Sequence, residues 1–398
     1  MMGALLGAVI ASSLVFGLIS VDSANKLSVR LHPSTLHLGG LTTSQFAWPS
    51  LGSAAVEIAG RDFVASSNQK VLPIASLTKL MTAYVLLQAL PLSGTDTGPC
   101  WTVTSQDVST YLQDKYSNQS SAMVAEGEVL CENQLLAGMM VHSASNFASM
   151  AVELAVENAP ISLGLSSLAD YVTAMNSDAQ SLSMTNTTYV DPTGFDPGNV
   201  SSAHDQLLLT NVLMGNEYFR SVVSQPTVSL PVAGTLTSYT PELGTEGVVG
   251  VKSGRTSAAG GCDVMARNFT VDGRSVTLYV AVLGQGGSDV LASAGQAALT
   301  LSTSVVKELR NVRISKVRVG DVGWGSDRTA IVSARTVTIP WWVAMNPLRA
   351  TVQLQKNLNN LSANRIIGYL DISGSRHYRI ALKVDRALHS PSLWQRIR

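Results

Sequence analysis

Hydrophobic positions repeat with helical spacing in three parts of the chain. After Pro73, apolar side chains recur three and four residues apart, at Leu77, Leu80, Met81, Tyr84, Leu87 and Leu90. This spacing predicts a helix that buries one face. Similar apolar patterns predict a second helix over residues 135–156 and a third over residues 289–309. Between the second and third, residues 191–198 (DPTGFDPG) form a dense cluster of turn residues.

Alternating apolar and polar positions predict strands around these helices. Residues 54–58 and 61–65, joined by Ala59-Gly60, read as a hairpin, and residues 248–253, 261–270 and 275–284 read as three successive antiparallel strands. Beyond residue 309 only short strand patterns follow, separated by Gly, Pro and Asn. We therefore expect an α+β domain with an antiparallel sheet flanked by helices over 47–309, and a small all-β domain over 310–388.

The N-terminal segment has a different character from the rest of the chain. Residues 1–21 carry no charged side chain, and residues 4–19 are nearly all apolar or small. This pattern predicts a signal peptide or an N-terminal membrane anchor over 1–24. We expect an exported, extracytoplasmic protein that is either secreted or held at the membrane by this segment. Residues 25–46 show no periodicity and are predicted as a linker, and residues 389–398 as a tail.

Composition limits the remaining classes. The chain has 398 residues, of which 14% are charged, with 27 Lys and Arg against 27 Asp and Glu. This balance argues against a basic nucleic-acid-binding protein. The charge is uneven, however: residues 1–304 carry a formal −11 and residues 305–398 carry +11. The basic part is interpreted either as a domain that attracts its acidic neighbour or as a module that faces an anionic surface.

Three cysteines are present, at positions 100, 131 and 262. In an exported protein Cys100 and Cys131 can close a loop of about 30 residues, worth about 3–4 kcal/mol. Cys262 would then remain as a small buried residue. No Cys and His pair has the spacing of a zinc site, so neither a metal nor a cofactor is expected.

Ser76-Leu77-Thr78-Lys79 lies at the start of the first predicted helix. Positions i and i+3 share a helix face, so the Lys79 amine would lie beside the Ser76 hydroxyl. Serine is a weak nucleophile that needs a neighbouring base, and a buried lysine at a helix N-terminus has the lowered pKa that this task requires. Ser-x-x-Lys occurs four times in the chain, but only this copy follows a proline and begins an apolar helix.

Two further polar groups interrupt apolar segments. Lys252-Ser253-Gly254-Arg255-Thr256 ends a short apolar strand, where a peptide substrate can be added along the sheet edge and Lys or Arg can bind a carboxylate. His142-Ser143-Ala144-Ser145-Asn146 follows a run of apolar residues. Buried polar residues need partners, so this group marks either a helical kink or a site. No Gly-x-Ser-x-Gly motif is present to support a Ser-His-Asp triad.

The order and spacing of these groups resemble the serine penicillin-binding enzymes. Ser143 follows Ser76 by 67 residues, and Lys252 follows Ser143 by 109. The chain is similar in particular to the D-alanyl-D-alanine carboxypeptidases of peptidase family S11, from about residue 47 to 309. Further stretches that carry the resemblance are residues 73–83, 184–187, 191–194 and 250–254, with Ala258-Ala259-Gly260-Gly261-Cys262. The resemblance implies a penicillin-binding/β-lactamase-like fold.

The resemblance also implies roles for individual residues. Ser76 would attack the D-Ala-D-Ala bond of a peptidoglycan stem peptide, Lys79 would take its proton, and Ser143 would relay a proton to the leaving amine. Backbone N–H groups of Ser76 and Arg255 would form the oxyanion hole, and β-lactams would acylate the same serine. The implied substrate-binding residues are Ser145, Asn146, Lys252, Ser253, Gly254, Arg255 and Thr256.

Departures from the family pattern keep alternatives open. The usual Ser-x-Asn motif reads Ser143-Ala144-Ser145, with Asn146 one position later. Either Ser145 replaces the motif amide, or Asn146 reaches the site through a local bulge. This substitution motivates one alternative, a catalytically weak peptidoglycan-binding protein of the same fold. A β-lactamase is the other, but residues 158–190 contain no Glu to activate a deacylating water.

Overall fold

The structure is a computed structural model that describes residues 27–32, 46–60, 64–68, 70–271, 273–309, 312–339, 349–356, 358, 361–373 and 377–389. The chain divides into two compact units. The larger runs from Thr43 to Glu308, and the smaller combines the residues up to Thr42 with those from Leu309 onward. The predicted leader or anchor over 1–24 lies outside the described residues, as does most of the predicted tail. No helix among the described residues is long and apolar enough to span a membrane.

The larger unit contains eight α-helices within the residues described. They are α1 Thr78–Ala89, α2 Ser105–Tyr116, α3 Glu132–Val141, α4 Ser145–Asn158, α5 Leu168–Ser181, α6 Ala203–Leu213, α7 Glu217–Val223 and α8 Val290–Glu308. Short 3-10 turns occur at Ala75–Leu77 and Ile161–Leu163. Its strands are β2 Ser53–Ile58, β3 Val64–Ser66, β4 Leu72–Pro73, β5 Cys100–Thr102, β6 Val129–Cys131, β7 Val200–Ser201, β8 Thr227–Leu230, β9 Gly234–Thr237, β10 Val248–Thr256, β11 Gly260–Val271 and β12 Arg274–Gln285.

A five-stranded antiparallel sheet forms the centre of this unit. Its order is β10-β11-β12-β2-β3, which confirms the predicted hairpin and the three predicted successive strands. Helix α8 packs against β11 and β12, and helix α6 packs against β12 and β2. Strand β10 is the edge strand of this sheet, so its outer side can accept a further extended chain.

The sequence predicts that helix α1 buries one face, but in the structure the helix is buried on nearly every side. Every residue of the helix is buried except Tyr84 and Gln88. The Tyr171 hydroxyl of α5 donates to the Thr82 carbonyl of α1 at 2.7 Å, which satisfies a polar group inside the helical core. A helix enclosed on nearly every side holds Lys79 in a fixed environment.

The single helix predicted over 135–156 is wrong, because the structure has two helices there. Helix α3 ends at Val141 and α4 begins at Ser145. Between them Ser143 adopts a left-handed backbone conformation with φ of +60°, which a continuing helix cannot contain. The apolar pattern continues on both sides of the break, so periodicity alone conceals it. The polar interruption at 142–146 was the local sign of the break.

The disulfide considered from the sequence is present. Cys100 and Cys131 are directly paired across β5 and β6 and are joined by an S–S bond. Cys262 is a free, buried thiol on β11. Burial raises its pKa to about 12, so it remains a neutral apolar-like side chain.

The smaller unit is an antiparallel β-structure. Its strands are β1 Leu27–Leu31, β13 Val312–Ile314, β14 Arg318–Trp324, β15 Asp327–Ser333, β16 Val337–Ile339, β17 Arg349–Leu354, β18 Ile366–Ser373 and β19 His377–Val384. Six of them form a sheet in the order β1-β14-β15-β19-β18-β17, and β13 pairs with β16.

Strand β1 corrects part of the predicted linker over 25–46. Residues 27–31 pair antiparallel with β14, with Val29 opposite Val322. The alternating Leu27, Val29 and Leu31 supply the period of a strand, but five residues are too few to stand out from an irregular segment. Pairing with a strand almost 300 residues away is what gives this segment its structure.

Candidate active site

Ser76 and Lys79 lie where the 3-10 turn Ala75–Leu77 leads into α1. The Lys79 Nζ donates to Ser76 Oγ at 3.0 Å, as the i, i+3 spacing predicts. Ser76 is partly accessible, whereas Lys79 is fully buried. The arrangement places an accessible hydroxyl beside an enclosed amine, which is the geometry that general-base activation of a serine requires.

The remaining partners of the Lys79 amine are uncharged. Lys79 Nζ donates to the Thr193 carbonyl at 2.6 Å and lies 3.3 Å from Ser145 Oγ. Burial lowers the Lys79 pKa to about 8, and the nearby charges of Asp191 and Asp114 partly oppose that effect. At pH 7 about one tenth of Lys79 is therefore the neutral amine, far more than for an exposed lysine, and only that form can accept a proton.

The turn over residues 191–199 holds the Thr193 carbonyl against Lys79. The Asp191 carboxylate accepts backbone N–H bonds from Thr193 at 2.6 Å, Gly194 at 2.8 Å and Asp196 at 2.9 Å. Burial alone would raise the Asp191 pKa, but the hydrogen bonds that Asp191 accepts outweigh it and lower that pKa. Gly194 has a φ of +82°, and a Cβ there would lie 1.9 Å from the Ala75 carbonyl oxygen. The turn is thus packed directly beneath the nucleophile turn.

Strand β10 brings a second buried lysine to the same place. Lys252 Nζ donates to Ser143 Oγ at 2.8 Å and to the Ser253 carbonyl at 2.7 Å. Burial and the charge of Lys79 hold the Lys252 pKa well below its usual range. A Cβ on Gly254 would lie 2.6 Å from the Ser76 backbone nitrogen, so only glycine allows β10 to approach the nucleophile this closely.

The other residues of the β10 motif differ in their exposure. Ser253 Oγ donates to the Tyr239 carbonyl at 2.6 Å, while Arg255 is exposed. Thr256 Oγ1 accepts from the Ala259 backbone N–H at 3.0 Å, which places its hydroxyl in the turn after β10. Arg255 is therefore the cation of this motif that is free to meet a ligand at the surface, whereas Lys252 is enclosed.

His142 belongs to the wall of the cleft. Its Nδ1 lies 3.0 Å from the Thr237 carbonyl, and its ring stacks on Tyr239 with centroids 4.6 Å apart. The hydroxyl of the adjacent Ser143 is instead bonded to Lys252. The geometry thus gives Ser143 a lysine partner and provides no triad that includes His142.

Ser145 and Asn146 were the two alternatives for the position of the motif amide, and the structure gives them different partners. Asn146 Oδ1 accepts from the Ala122 N–H at 3.0 Å, and its Nδ2 donates to the Ala122 carbonyl at 2.9 Å. Ser145, one residue earlier, faces Lys79. The two residues project from the first turn of α4 in different directions, so Ser145 occupies the site and Asn146 fastens the segment around Ala122.

Sequence reasoning missed the residues that support the site from other segments. Asp191 and Thr193 belong to a predicted turn and to a stretch that carries the family resemblance, but neither was given a role in the site, and Tyr239 was not singled out. Thr193 and Tyr239 contact the site through their backbone carbonyls, and Thr193 is more than 60 positions away from Lys79 in the sequence. No pattern of side chains reveals such contacts. The density of turn residues over 191–198 was the available signal.

Asp263 is a fully buried carboxyl group on β11, opposite Ser253 of β10. Neither carboxyl oxygen has a hydrogen-bond partner among the described residues. Burial, together with Glu242, raises its pKa well above the usual range, although Lys252 opposes this. Asp263 therefore keeps its proton to a higher pH than an exposed aspartate does.

Replacing Asp263 with the isosteric Asn is expected to stabilise the protein, increasingly so as pH rises. Between the unfolded pKa of about 4 and the raised pKa of the folded state, the unfolded Asp loses its proton while the folded one keeps it. Over that window unfolding is favoured by up to about 1.4 kcal/mol per pH unit. Urea unfolding at pH 5 and pH 8 measures the effect. A D263N variant that is destabilised equally at both values would contradict this account.

Comparisons with known proteins agree with this geometry. The sequence model of the S11 peptidase family, described as D-alanyl-D-alanine carboxypeptidase, matches residues 56–285. The chain is 30% identical over 244 residues to a D-alanyl-D-alanine endopeptidase of Escherichia coli, covering 58% of this chain and 70% of that protein. It is 32% identical over 251 residues to one of Pseudomonas aeruginosa, with the same coverage.

Solved structures share the fold. Penicillin binding protein 5 from Haemophilus influenzae is 19% identical with a TM-score of 0.57, and the match covers 88% of this chain and all of that chain. The Streptomyces K15 DD-transpeptidase is 22% identical with a TM-score of 0.54, covering 66% of this chain and 99% of its own. These matches confirm the predicted fold class, an α+β peptidase domain followed by a small all-β domain. With the family model spanning more than half of its length, the chain belongs to the D-alanyl-D-alanine carboxypeptidase family S11 and is a serine peptidase.

Proposed function

We propose that this protein is an exported D-alanyl-D-alanine carboxypeptidase that removes the terminal D-Ala from peptidoglycan stem peptides. The observation that carries the proposal is the 3.0 Å contact between Lys79 Nζ and Ser76 Oγ, with Lys252 and Ser143 paired at 2.8 Å nearby. The family membership supplies the reaction class, and the N-terminal apolar segment supports export. β-Lactams are the expected covalent inhibitors, because they acylate the same kind of serine.

Acylation begins with the neutral Lys79 amine. As Ser76 Oγ attacks the carbonyl carbon of the penultimate D-Ala, its proton passes to Lys79 Nζ. The backbone N–H groups of Ser76 and Arg255 stabilise the oxyanion. Ser143, oriented by Lys252, gives its proton to the leaving nitrogen, so the C–N bond breaks and free D-Ala departs. The lysine pair, which received the Ser76 proton, returns a proton to the Ser143 oxygen.

Substrate binding and deacylation use the surrounding groups. The exposed Arg255 binds the terminal carboxylate as a forked donor. The Ser253 hydroxyl also donates to it, after exchanging its hydrogen bond to the Tyr239 carbonyl for one to the substrate. Ser145 contacts the acyl part of the substrate in place of the motif Asn. A water molecule then attacks the ester carbonyl and gives its proton to the amine network, which releases the shortened peptide and regenerates the Ser76 hydroxyl.

Release of D-Ala from an N-acetylated peptide ending in D-Ala-D-Ala tests the proposal. We expect free D-Ala to accumulate catalytically and benzylpenicillin to block its release. If the wild-type protein releases no D-Ala yet binds peptidoglycan, it is instead a wall-binding protein of this fold.

A second candidate is endopeptidase action, which the names of both bacterial relatives favour. The attacked carbonyl again belongs to D-Ala, but the leaving amine is then the side chain of a cross-linked peptide. Chromatography of purified monomeric and cross-linked peptidoglycan fragments separates the two activities. Loss of D-Ala from monomers supports the carboxypeptidase, whereas conversion of dimers to monomers without D-Ala release supports the endopeptidase.

A further inference from the structure

Two buried lysines belong to this site, and their hydrogen-bond partners among the described residues are hydroxyls and carbonyls. Lys79 bonds to Ser76, Ser145 and Thr193, and Lys252 bonds to Ser143 and its own neighbour's carbonyl. A buried cation without a nearby opposite charge is strongly disfavoured. Any carboxylate directed at this pair therefore has a large influence on which lysine carries a proton.

Asp114, in the last turn of α2, is a buried carboxylate whose charge acts on Lys79. Its side chain is only 7% exposed, and its Oδ2 is enclosed without a hydrogen-bond partner among the described residues. Burial raises its pKa to about 6, while the charge of Lys79 opposes that rise. Asp114 is thus ionised at the pH where Lys79 begins to lose its proton, although nothing hydrogen-bonds that enclosed oxygen.

The segment that follows Asp114 is fastened to the active-site segment by several hydrogen bonds. The Asp114 carbonyl accepts from the Gln119 N–H at 2.9 Å, and the Ser120 carbonyl accepts from the Ser145 N–H at 2.8 Å. Ser120 Oγ also donates to the His142 carbonyl at 2.6 Å. These bonds hold the end of α2 against the residues that surround Lys79, so the position of the carboxylate is set by the fold.

We propose that Asp114 is a positioning residue that supplies opposite charge to Lys79 and thereby sets the pH range of acylation. This inference rests on the proposed function. The charged groups that act on Lys79 are Asp191 from the 191–199 turn, Lys252 from β10 and Asp114 from α2. Asp191 also builds its turn through the hydrogen bonds that it accepts, whereas the enclosed Oδ2 of Asp114 has no such bond within the described part of the chain.

The sign of the effect follows from the charge. An anion beside Lys79 favours the ammonium, so removing it lowers the pKa of the lysine and leaves the amine neutral at lower pH. In the Asp114→Asn variant we expect the acid limb of the acylation rate to move down by about 0.5–1 pH unit. At pH 6.5 the rate, relative to its own plateau, then rises about three- to tenfold. The plateau itself falls slightly, because Lys79 becomes a weaker base.

The experiment is the rate of benzylpenicillin acylation from pH 5.5 to 9.5 for wild type, Asp114→Asn and Asp114→Glu. Glu126→Gln is the matched control, because Glu126 is an exposed carboxylate of the same 114–128 region. We expect Glu to restore the wild-type midpoint and the control to leave it unchanged. A purely structural role would lower the plateau of D114N without moving its midpoint, and that result overturns the proposal. Failure of wild type to be acylated at all would instead reject the proposed function.

Discussion

Replacing Ser76 with alanine is expected to abolish D-Ala release, lowering kcat by at least about 10³-fold. The Ser76 Oγ, which Lys79 contacts, is the atom that forms the acyl-enzyme. Ser143 and Ser145 cannot replace it, because neither lies in the 3-10 turn that packs against Gly254 of β10. The variant should fold normally, because Ser76 is partly exposed and its removal leaves no enclosed partner other than Lys79.

Ser304→Ala is the matched control for this variant. Ser304 begins another Ser-x-x-Lys sequence, on α8, where its Oγ donates to the Leu301 carbonyl. The Ser304-x-x-Lys307 sequence belongs to α8 and not to the site formed by Ser76, Ser143 and Lys252. D-Ala release by Ser304→Ala should therefore be unchanged. Comparable losses in both variants, or substantial activity in Ser76→Ala, would show that the nucleophile lies elsewhere.

Replacing Lys79 with methionine is expected to slow acylation by about 10²–10⁴-fold, the range that a general base contributes. Methionine fills a similar volume without an amine, so the core around α1 remains packed. The wild-type rate should rise with pH through about 8, the pKa to which burial lowers this lysine, and then level off. The variant should show no such rise.

Stopped-flow acylation by a chromogenic β-lactam measures both rates. Lys307→Met is the control for the loss of a lysine. Lys307 is the exposed lysine of the Ser304-x-x-Lys307 sequence on α8. If Lys79→Met retained the wild-type rate and pH profile, the amine would not be the base, and another group would have to receive the Ser76 proton.

The predictable part of the site is the part that depends on local geometry. The contact between Ser76 and Lys79 follows from one turn of helix, and the strand pattern before Lys252 places that residue on a sheet. Whether two segments 109 residues apart meet is not encoded in either pattern. The meeting of Ser143 with Lys252 was expected only from the resemblance to a known family.

The features that escaped prediction arise from long-range packing. Ser143 breaks a continuous apolar run because its hydroxyl pairs with a buried lysine, which overrides helical periodicity. Thr193 contacts Lys79, and Asp114 acts on it through its charge, from segments whose own patterns do not indicate this. Strand β1 exists because β14 offers an edge, although its own sequence is too short to predict a strand.

Mass spectrometry of the protein after brief exposure to benzylpenicillin tests the central claim most directly. Tryptic cleavage after Lys70 and Lys79 yields residues 71–79, in which Ser76 is the only serine. We predict that this peptide gains the mass of one penicillin and that fragmentation places it on Ser76. An adduct confined to another peptide, or no adduct on folded wild-type protein, would contradict the account.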